Sequence, residues 1–407
     1  MARGVKESSN EPLGHRETRN WHPQPSGLGS RRQRRGGEFE AFVPARIADR
    51  RFSLDEDAVA AIASASGALA RLNASRPRIT SLNALATSIL RSESAASSRI
   101  EGVAISHKRL ARAAFHGLEH RRIDNKAAEV LGNVEAMKRA IEMGANGEAL
   151  SVEDLCEIHR ILLRFTADRR IAGLIRREQN WIGGSDFNPL SAAYVPPPPE
   201  EVPGLMEDLC RFTARDDLAP VAQAAIAHAQ FENIHPFADG NGRVGRALIY
   251  SVLRRRGEAD SYIPPVSLVL AAEQRAYIGG FAAYSDGDVS GWCEVFADAA
   301  AYAAGEAERL AAEIEQRQAL WLERIGNPRS DAVVRKLVAA LPGQPVIDVA
   351  AAQRLSGRSH VAVGSAMGQL EDAGILRKLN ERKWGRVWEC RELFELVENF
   401  EKGVASP

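Results

Sequence analysis

The sequence predicts a mostly α-helical protein with a small separate domain near its C-terminal end. Apolar residues recur at helical spacing from about residue 54 to 325, as in Ala222, Ile226 and Ala229. The sequence Gly326-Asn327-Pro328 then marks the end of the helical region. The chain has 407 residues, which is too long for one ordinary core, because domains of roughly 100–200 residues are the rule.

Four segments follow one another along the chain. Residues 1–37 are rich in Gly, Ser, Pro and Arg and poor in aliphatic residues, so we expect a disordered arm. Its basic run, Arg31 to Arg35, indicates a solvated tail, with contact to nucleic acid as the alternative. We expect an N-terminal helical region at 38–150, a helical core at 151–325 and the small domain at 328–400.

Composition excludes several classes of protein. The formal net charge is zero, which argues against non-specific binding to nucleic acid or membrane as the main activity. The four cysteines are far apart and have no spacing typical of a zinc site. No stretch approaches the ~20 apolar residues that span a bilayer, and the N-terminus is polar, so we expect a cytoplasmic protein without a membrane partner.

Two segments depart from the helical pattern. Gln179–Gly184 and Ala193–Val195 contain aromatic and β-branched residues around a Gly-rich turn, and Pro196–Pro199 follow, which predicts a β-hairpin. The C-terminal segment predicts three helices and then two short strands, the order of a winged helix-turn-helix. The expected bounds are 331–340, Asp348–Leu355 and His360–Ala373 for the helices, and Ile375–Leu379 and Val387–Cys390 for the strands.

The segment His235–Arg246, HPFADGNGRVGR, concentrates polar chemistry in a turn between two predicted helices, 219–233 and 242–255. Gly240 and Gly242 allow successive backbone N–H groups to converge at the start of the second helix, where the helix dipole also favours an anion. Arg243 and Arg246 add positive charge near that point. The pattern therefore predicts a phosphate site.

The same turn offers a metal ligand and a base. A lone carboxylate beside a phosphate site, here Asp239, is a usual way to hold Mg²⁺. The imidazole of His235 is well suited to accept a proton from a hydroxyl near neutral pH. Pro236 fixes the direction of the chain and Phe237 anchors the turn in the core.

This segment resembles the signature of the Fic family, HPFx(D/E)GNGRxxR, at every fixed position. The resemblance implies a Fic-type helical fold and transfer of AMP from Mg-ATP to a Tyr, Thr or Ser hydroxyl of a target protein. It implies that His235 is the base and Asp239 the Mg²⁺ ligand. The implied nucleotide-binding residues are Pro236, Phe237, Ala238, Gly240, Asn241, Gly242, Arg243 and Arg246.

The resemblance extends over about residues 40–325. The predicted hairpin, residues 179–199, is similar to the family's flap, and it implies that Ile182, Gly183 and Gly184 bind the target backbone by strand addition. Tyr277 resembles a position that lines the adenine pocket, although Ile278 replaces the second residue of a frequent Tyr-Tyr pair.

A second motif, near the end of a predicted helix, resembles the inhibitory motif found in some members of the family. Ser97 to Gly102 has the pattern Ser-x-x-x-Glu-Gly near the end of a helix that begins around Ser81. A carboxylate of Glu101 paired with Arg246 would remove the guanidinium that should bind the γ-phosphate. The resemblance therefore implies that Ser97 and Glu101 restrain the enzyme.

Several alternatives stay open at this stage. The same site can transfer phosphate instead, or it can run in reverse as a de-AMPylase. A different class is a DNA-binding regulator that uses the C-terminal domain, although its recognition helix is poor in Arg, Asn and Gln, and a docking or dimerisation module is equally consistent. Self-modification and a homodimer are open as well. The candidate DNA contacts are Ser359, His360, Ser365, Arg377, Lys378, Arg382, Lys383, Trp384 and Arg386.

Overall fold

A computed structural model of the chain describes residues 11–22, 35–74, 77–118, 123–380 and 385–404, and the prediction of a mostly α-helical fold is confirmed. Within these residues the helices are α1 Glu56–Ala74, α2 Leu82–Ile100, α3 His107–Leu118, α4 Asn125–Gly144, α5 Val152–Leu163, α6 Val202–Thr213, α7 Pro220–Ile234, α8 Asn241–Arg255, α9 Val266–Ala272, α10 Gln274–Ser285, α11 Val289–Arg324, α12 Val333–Ala340, α13 Val349–Ser356, α14 His360–Asp372 and α15 Arg391–Val404. The strands are β1 Gly14–Trp21, β2 Gly37–Pro44, β3 Val346–Asp348, β4 Arg377–Lys378 and β5 Val387–Glu389.

The N-terminal segment contains a β-hairpin where we expected a disordered arm. Strand β1 pairs antiparallel with β2 along its whole length, so the expectation is wrong for residues 14–21. Leu13 is buried and its N–H donates to the carbonyl of Ser285, 2.9 Å away. Pairing with β2 therefore holds a strand whose own side chains remain partly or fully exposed. Residues 1–10 and 23–34, with most of the basic run, lie outside the described residues.

Helices α7 and α8 form the centre of the core. Nearly every residue of α7 is buried, because α8, α11, α6 and α10 pack around it. The indole of Trp292 is fully buried and donates to the carbonyl of Ala225, 2.8 Å away. In the part of the chain that the structure describes, no helix combines the length and apolar character needed to cross a bilayer. The turn between α7 and α8 is therefore held from both sides by packed helices.

Helix α2 is fixed at its start and along its length. Ser81 caps its N-terminus, as the predicted start implied. Glu315 of α11 accepts the N–H groups of residues 78–80 just before it. Asn133 of α4 donates to the carbonyl of Ser94 and to the hydroxyl of Ser98, at 2.9 and 3.1 Å. These contacts fix where α2 ends, at Glu101.

The C-terminal unit, residues 333–404, has its helices and strands close to the bounds predicted from the sequence. It also contains a third strand, β3, so the sheet has the order β3-β5-β4, and a final helix, α15, that we did not predict. Residues 381–384, which include three of the candidate DNA contacts, lie outside the described residues.

This unit packs against the helices on either side of Glu101. The carboxylate of Glu389 is fully buried and pairs with Arg112 and Lys108 of α3, at 2.5 and 3.3 Å. Arg91 of α2 donates to the carbonyl of Gly343 at 2.6 Å. The position of α2 and α3 therefore depends on the C-terminal unit as well as on the core.

Close helix packing gives a first test. A Cβ at Gly132 of α4 would lie 2.5 Å from the backbone carbonyl oxygen of Leu162, whereas a Cβ at Gly305 of α11 would meet nothing within 4 Å. We expect Gly132→Ala to lower the free energy of unfolding by about 1–3 kcal/mol through overpacking. Gly305→Ala should raise it by about 0.5–1 kcal/mol, because Gly is a poor helix residue. The midpoints of urea unfolding, followed by tryptophan fluorescence, check both variants. Midpoints that shift in the same direction in the two variants would contradict the packing described.

Candidate active site

The turn between α7 and α8 is built from two residues with left-handed backbone conformations. His235 ends α7 with φ 49° and ψ 58°, which is uncommon for a residue other than glycine. Gly240 begins α8 with φ 80°, a conformation that glycine adopts without a steric penalty. Asn241 closes the turn, because its side chain accepts the N–H of Phe237 and donates to the carbonyl of Phe237, both at 2.8 Å.

His159, a buried residue of α5, packs against this turn and hydrogen-bonds to it. Nδ1 of His159 accepts the N–H of Gly173 at 2.9 Å, so its proton is on Nε2, which donates to the carbonyl of Asp239 at 3.0 Å. The ring stacks on Phe237 with centroids 3.9 Å apart. Burial lowers the pKa of His159 to about 4, which keeps this tautomer neutral. Sequence reasoning missed His159, since no motif links it to a turn 80 residues away.

The imidazole of His235 is half-buried at the start of the turn. Burial, and then the positive charge of Arg176, lower its pKa to about 4. The imidazole is therefore neutral at physiological pH and can accept a proton from a hydroxyl group.

Arg243 orients the carboxylate of Asp239. The guanidinium of Arg243 is 3% exposed and pairs with Glu129 at 2.6 Å and with Asp239 at 3.1 Å. Asp239 itself is half exposed at the mouth of the turn. No group of three or more His, Cys, Asp or Glu side chains is placed to hold a metal ion among the residues described. A single exposed carboxylate fits Mg²⁺, which takes one or two protein oxygens and completes its shell with water and phosphate.

Arg246 is almost fully buried and makes three hydrogen bonds to Ser97 and Glu101. Its Nε donates to the hydroxyl of Ser97 and its Nη2 to the carbonyl of Ser97, both at 2.8 Å. Nη2 also pairs with Glu101 at 2.7 Å. The structure thus brings Arg246 into contact with Ser97 and Glu101, which lie about 150 residues before it in the sequence.

The carboxylate of Glu101 lies directly on the first turn of α8. A Cβ at Gly242 would collide with this carboxylate and with the guanidinium of Arg246, so the contact requires glycine at that position. Burial alone would raise the pKa of Glu101, but Arg246 outweighs it and lowers the pKa below its ordinary value. The ionised carboxylate therefore occupies the place where the dipole of α8 favours an anion.

Tyr277, which the resemblance places in the adenine pocket, is 2% exposed. Its hydroxyl accepts from Nη1 of Arg246 at 3.3 Å and contacts Nε2 of His228 at 2.8 Å. The side chain therefore packs against the guanidinium of Arg246. The neighbouring Ile278 is 56% exposed. The orientation of α10 decides which of the two faces solvent, and periodicity in the sequence does not show it.

The flap, residues 179–199, lies beside the turn. Two antiparallel bridges close it, Ile182 with Tyr194 and Ser185 with Asn188. Ile182 is 44% exposed, and Gly183 and Gly184 follow it with φ of 74° and 77°. Asn180 donates to the carbonyl of Phe237 at 3.0 Å, which ties the base of the flap to the turn.

Comparison with known proteins matches this arrangement to one family. The Fic/DOC family model matches residues 149–253, and the model of the Fic/DOC family N-terminal region matches residues 59–142. The chain therefore contains a region of each of these two Fic/DOC types. The matched regions contain α2, Glu101, the turn and all but the last two residues of α8.

Curated relatives resemble part of this chain. The protein adenylyltransferase Fic of Drosophila willistoni is 33% identical over 174 residues, which are 42% of this chain and 32% of the relative. The protein adenylyltransferase fic-1 of Caenorhabditis elegans is 36% identical over 129 residues, which are 32% of this chain and 23% of the relative. The chain thus spans about a third or less of the length of these relatives.

Solved structures agree with the fold. A Fic family protein from Desulfovibrio desulfuricans covers 83% of this chain and 97% of its own, with a TM-score of 0.51 and 20% identity. A Fic domain containing signaling protein from Bacteroides thetaiotaomicron covers 62% of this chain and 97% of its own, with a TM-score of 0.50 and 19% identity. At this level of identity the likeness concerns the fold alone.

The buried His159 gives a test of how the turn is supported. Its pKa is lowered from 6.5 to about 4, so its contribution to stability is present above about pH 6.5 and is lost as pH falls toward 4. We expect His159→Gln to be less stable at neutral pH, because it loses the stack on Phe237. Between about pH 7 and about pH 4.5, the free energy of unfolding should fall less in His159→Gln than in the parent. The difference between the two decreases should be up to about 3 kcal/mol. Urea unfolding at both pH values checks this, with the exposed His360→Gln as control, and equal losses in the His159 variant and the parent would contradict it.

Proposed function

We propose that this chain is a protein adenylyltransferase that moves AMP from Mg-ATP to a Tyr, Thr or Ser hydroxyl of a target protein, and that Glu101 restrains it. The observation that carries the proposal is the turn 235–246, in which a neutral imidazole lies beside a helix N-terminus and two buried guanidinium groups. The names of the curated relatives support the same activity.

In this reaction the hydroxyl oxygen of the target attacks the α-phosphorus of ATP. Its proton passes to the imidazole of His235, the bond from the α-phosphorus to the bridging oxygen breaks, and pyrophosphate leaves. The N–H groups of the turn and the first turn of α8 bind the phosphate oxygens, while Arg243 and Arg246 bind the outer phosphates. Asp239 would hold Mg²⁺, which neutralises negative charge on the phosphates when bound.

The flap would hold the acceptor. Ile182, Gly183 and Gly184 lie at its exposed edge, where a target strand can add by backbone hydrogen bonds. The tie from Asn180 to Phe237 keeps this edge close to the imidazole. The proposal gives the target class as a protein segment in extended conformation with a hydroxyl side chain.

Glu101 would restrain the reaction by competing for Arg246. The carboxylate covers Gly242 and holds the guanidinium through a 2.7 Å ion pair, so the γ-phosphate cannot use the same group. Ser97 keeps Arg246 in the orientation that favours this pair. ATP would bind with its phosphate chain displaced from the in-line position.

Removal of the carboxylate tests the restraint. We expect Glu101→Gly to raise automodification by Mg-ATP by roughly tenfold or more, because a charge-assisted hydrogen bond to a buried group is worth about 1.5–3 kcal/mol. Intact mass spectrometry of the purified chain measures it, and Glu148→Gly, which removes an exposed carboxylate far from Arg246, is the control. Equal activity of Glu101→Gly and the parent would exclude the restraint.

Loss of the imidazole tests the base. In the Glu101→Gly background, we expect His235→Ala to lower the rate of AMP transfer by about 10²–10⁴-fold, the usual contribution of a general base. The exposed His360→Ala is the control. Substantial transfer by His235→Ala would remove His235 from this role.

The same mass measurement separates the related reactions. A gain equal to adenylate supports the proposal, whereas a gain equal to phosphate would assign the chain to phosphate transfer. Loss of adenylate from a modified chain, in place of a gain, would indicate the reverse reaction.

A further inference from the structure

A buried arginine connects the flap to the turn that carries His235. The side chain of Arg176 donates to the carbonyl of His235 at 2.9 Å and, more weakly, toward that of Ile234 at 3.5 Å. It also donates to the carbonyl of Glu178, just before the flap, at 3.2 Å and to the carbonyl of Pro197, at the far end of the flap, at 2.5 Å. One guanidinium thus joins three separate segments of backbone.

This is a costly arrangement for a positive charge. Arg176 is 6% exposed, and no carboxylate of the described residues lies within ion-pair distance of it. Burial lowers its pKa to about 10, so it remains charged at physiological pH with backbone carbonyls as its partners. A buried charge without a counter-ion is expensive compared with an apolar residue, so its retention points to a task other than stability.

The backbone that Arg176 holds is the part of the turn that sets the direction of the imidazole. The N–H of Arg176 donates to the carbonyl of Pro236 at 2.9 Å, in addition to the side-chain bond to His235. His235 has a left-handed conformation, which is strained for a residue other than glycine and persists where neighbouring contacts fix it. Arg176 supplies two of those contacts.

Other hydrogen bonds also hold the flap near its base. Gln179 donates to the carbonyl of Pro196 at 2.9 Å, Asn180 donates to the carbonyl of Phe237 at 3.0 Å, and the hydroxyl of Tyr194 donates to the carbonyl of Asn233 at 2.7 Å. Arg176 differs from these residues because it alone among them binds the backbone of His235 together with that of the flap. Its removal would therefore loosen the flap specifically with respect to His235.

We propose that Arg176 is a positioning residue that sets the distance between the flap, which holds the acceptor hydroxyl, and the imidazole of His235. The inference rests on the proposed transfer reaction. Arg176 touches neither nucleotide nor acceptor in this scheme, since its hydrogen bonds go to backbone carbonyls. A misplacement of about 1 Å in such a pair can cost about 10²-fold in rate.

The charge of Arg176 has a second effect, which a purely structural residue would not show. It lowers the pKa of His235, whereas Glu101 and Asp239, which act on the same imidazole, raise it. Loss of the charge should therefore raise the pKa of His235, and a lysine at the same position should keep it low. A lysine ammonium group cannot form the several directed hydrogen bonds that the guanidinium makes to the carbonyls of residues 178, 197 and 235.

The experiment compares Arg176→Met, Arg176→Lys and the exposed neighbour Arg177→Met, all in the Glu101→Gly background with Mg-ATP and the chain as its own acceptor. We expect kcat to fall about 10–100-fold in both Arg176 variants, with KM for ATP within about twofold, because the phosphate contacts come from the turn and α8. Arg177→Met should match the parent. The pKa of His235, followed by NMR, should rise in Arg176→Met and stay near the parent value in Arg176→Lys.

The outcomes separate this inference from the proposed function. If the Glu101→Gly parent transfers no AMP, the proposed function fails, and the pKa of His235 still reports on Arg176. A folded Arg176→Met with parental kcat and an unchanged pKa of His235 would overturn the inference. Circular dichroism shows whether Arg176→Met folds. If it does not fold, the kcat of Arg176→Lys is the test, and a kcat equal to that of the parent would overturn the inference.

Discussion

The ion pair between Arg246 and Glu101 is the interaction on which the organisation of the site depends. An anionic partner stabilises a guanidinium that is only 1% exposed, and the N-terminus of α8 favours the same anion. In this structure the anion is a carboxylate from α2, and in the proposed reaction it would be a phosphate. Because both need the same small space above Gly242, one excludes the other. In the proposed scheme, regulation and catalysis would compete for one buried charge.

The turn beneath that charge shows how buried backbone carbonyls are satisfied in a segment without regular structure. Phe237 is paired with Asn241 and Asn180, the carbonyl of Asp239 with His159, and the carbonyls of His235 and Pro236 with Arg176. The partners come from α5, from α8 and from the segment that leads into the flap and begins it. This network makes the turn rigid enough to hold a histidine in a left-handed conformation. Rigidity of that kind is what a catalyst needs when it works mainly by placing two reactants.

Two peripheral parts of the fold contact the parts of the site that would move. The N-terminal hairpin supports the flap, through a hydrogen bond from Phe42 to the carbonyl of Val195 at 2.8 Å and through the edge of Trp21 against Trp181. The C-terminal unit holds α2 and α3, through Arg91 and through the buried Glu389. The surroundings of the flap and of Glu101 are therefore built from segments outside the 149–253 match to the Fic/DOC model.

The sequence by itself determined the features that depend on neighbours along the chain. The capped start of α2 at Ser81, the turn 235–240 and the start of α8 follow from capping and from glycine at left-handed positions, which are local effects. Tertiary structure decided what depends on distant partners. Strand β1 needed β2 and Ser285, His159 and Arg176 acquired their contacts from the turn, and Tyr277 became buried because α10 rotates it beneath Arg246. A single buried polar residue leaves no periodic signal in the sequence, because its hydrogen-bond partners lie tens of residues away and are fixed only when the helices pack.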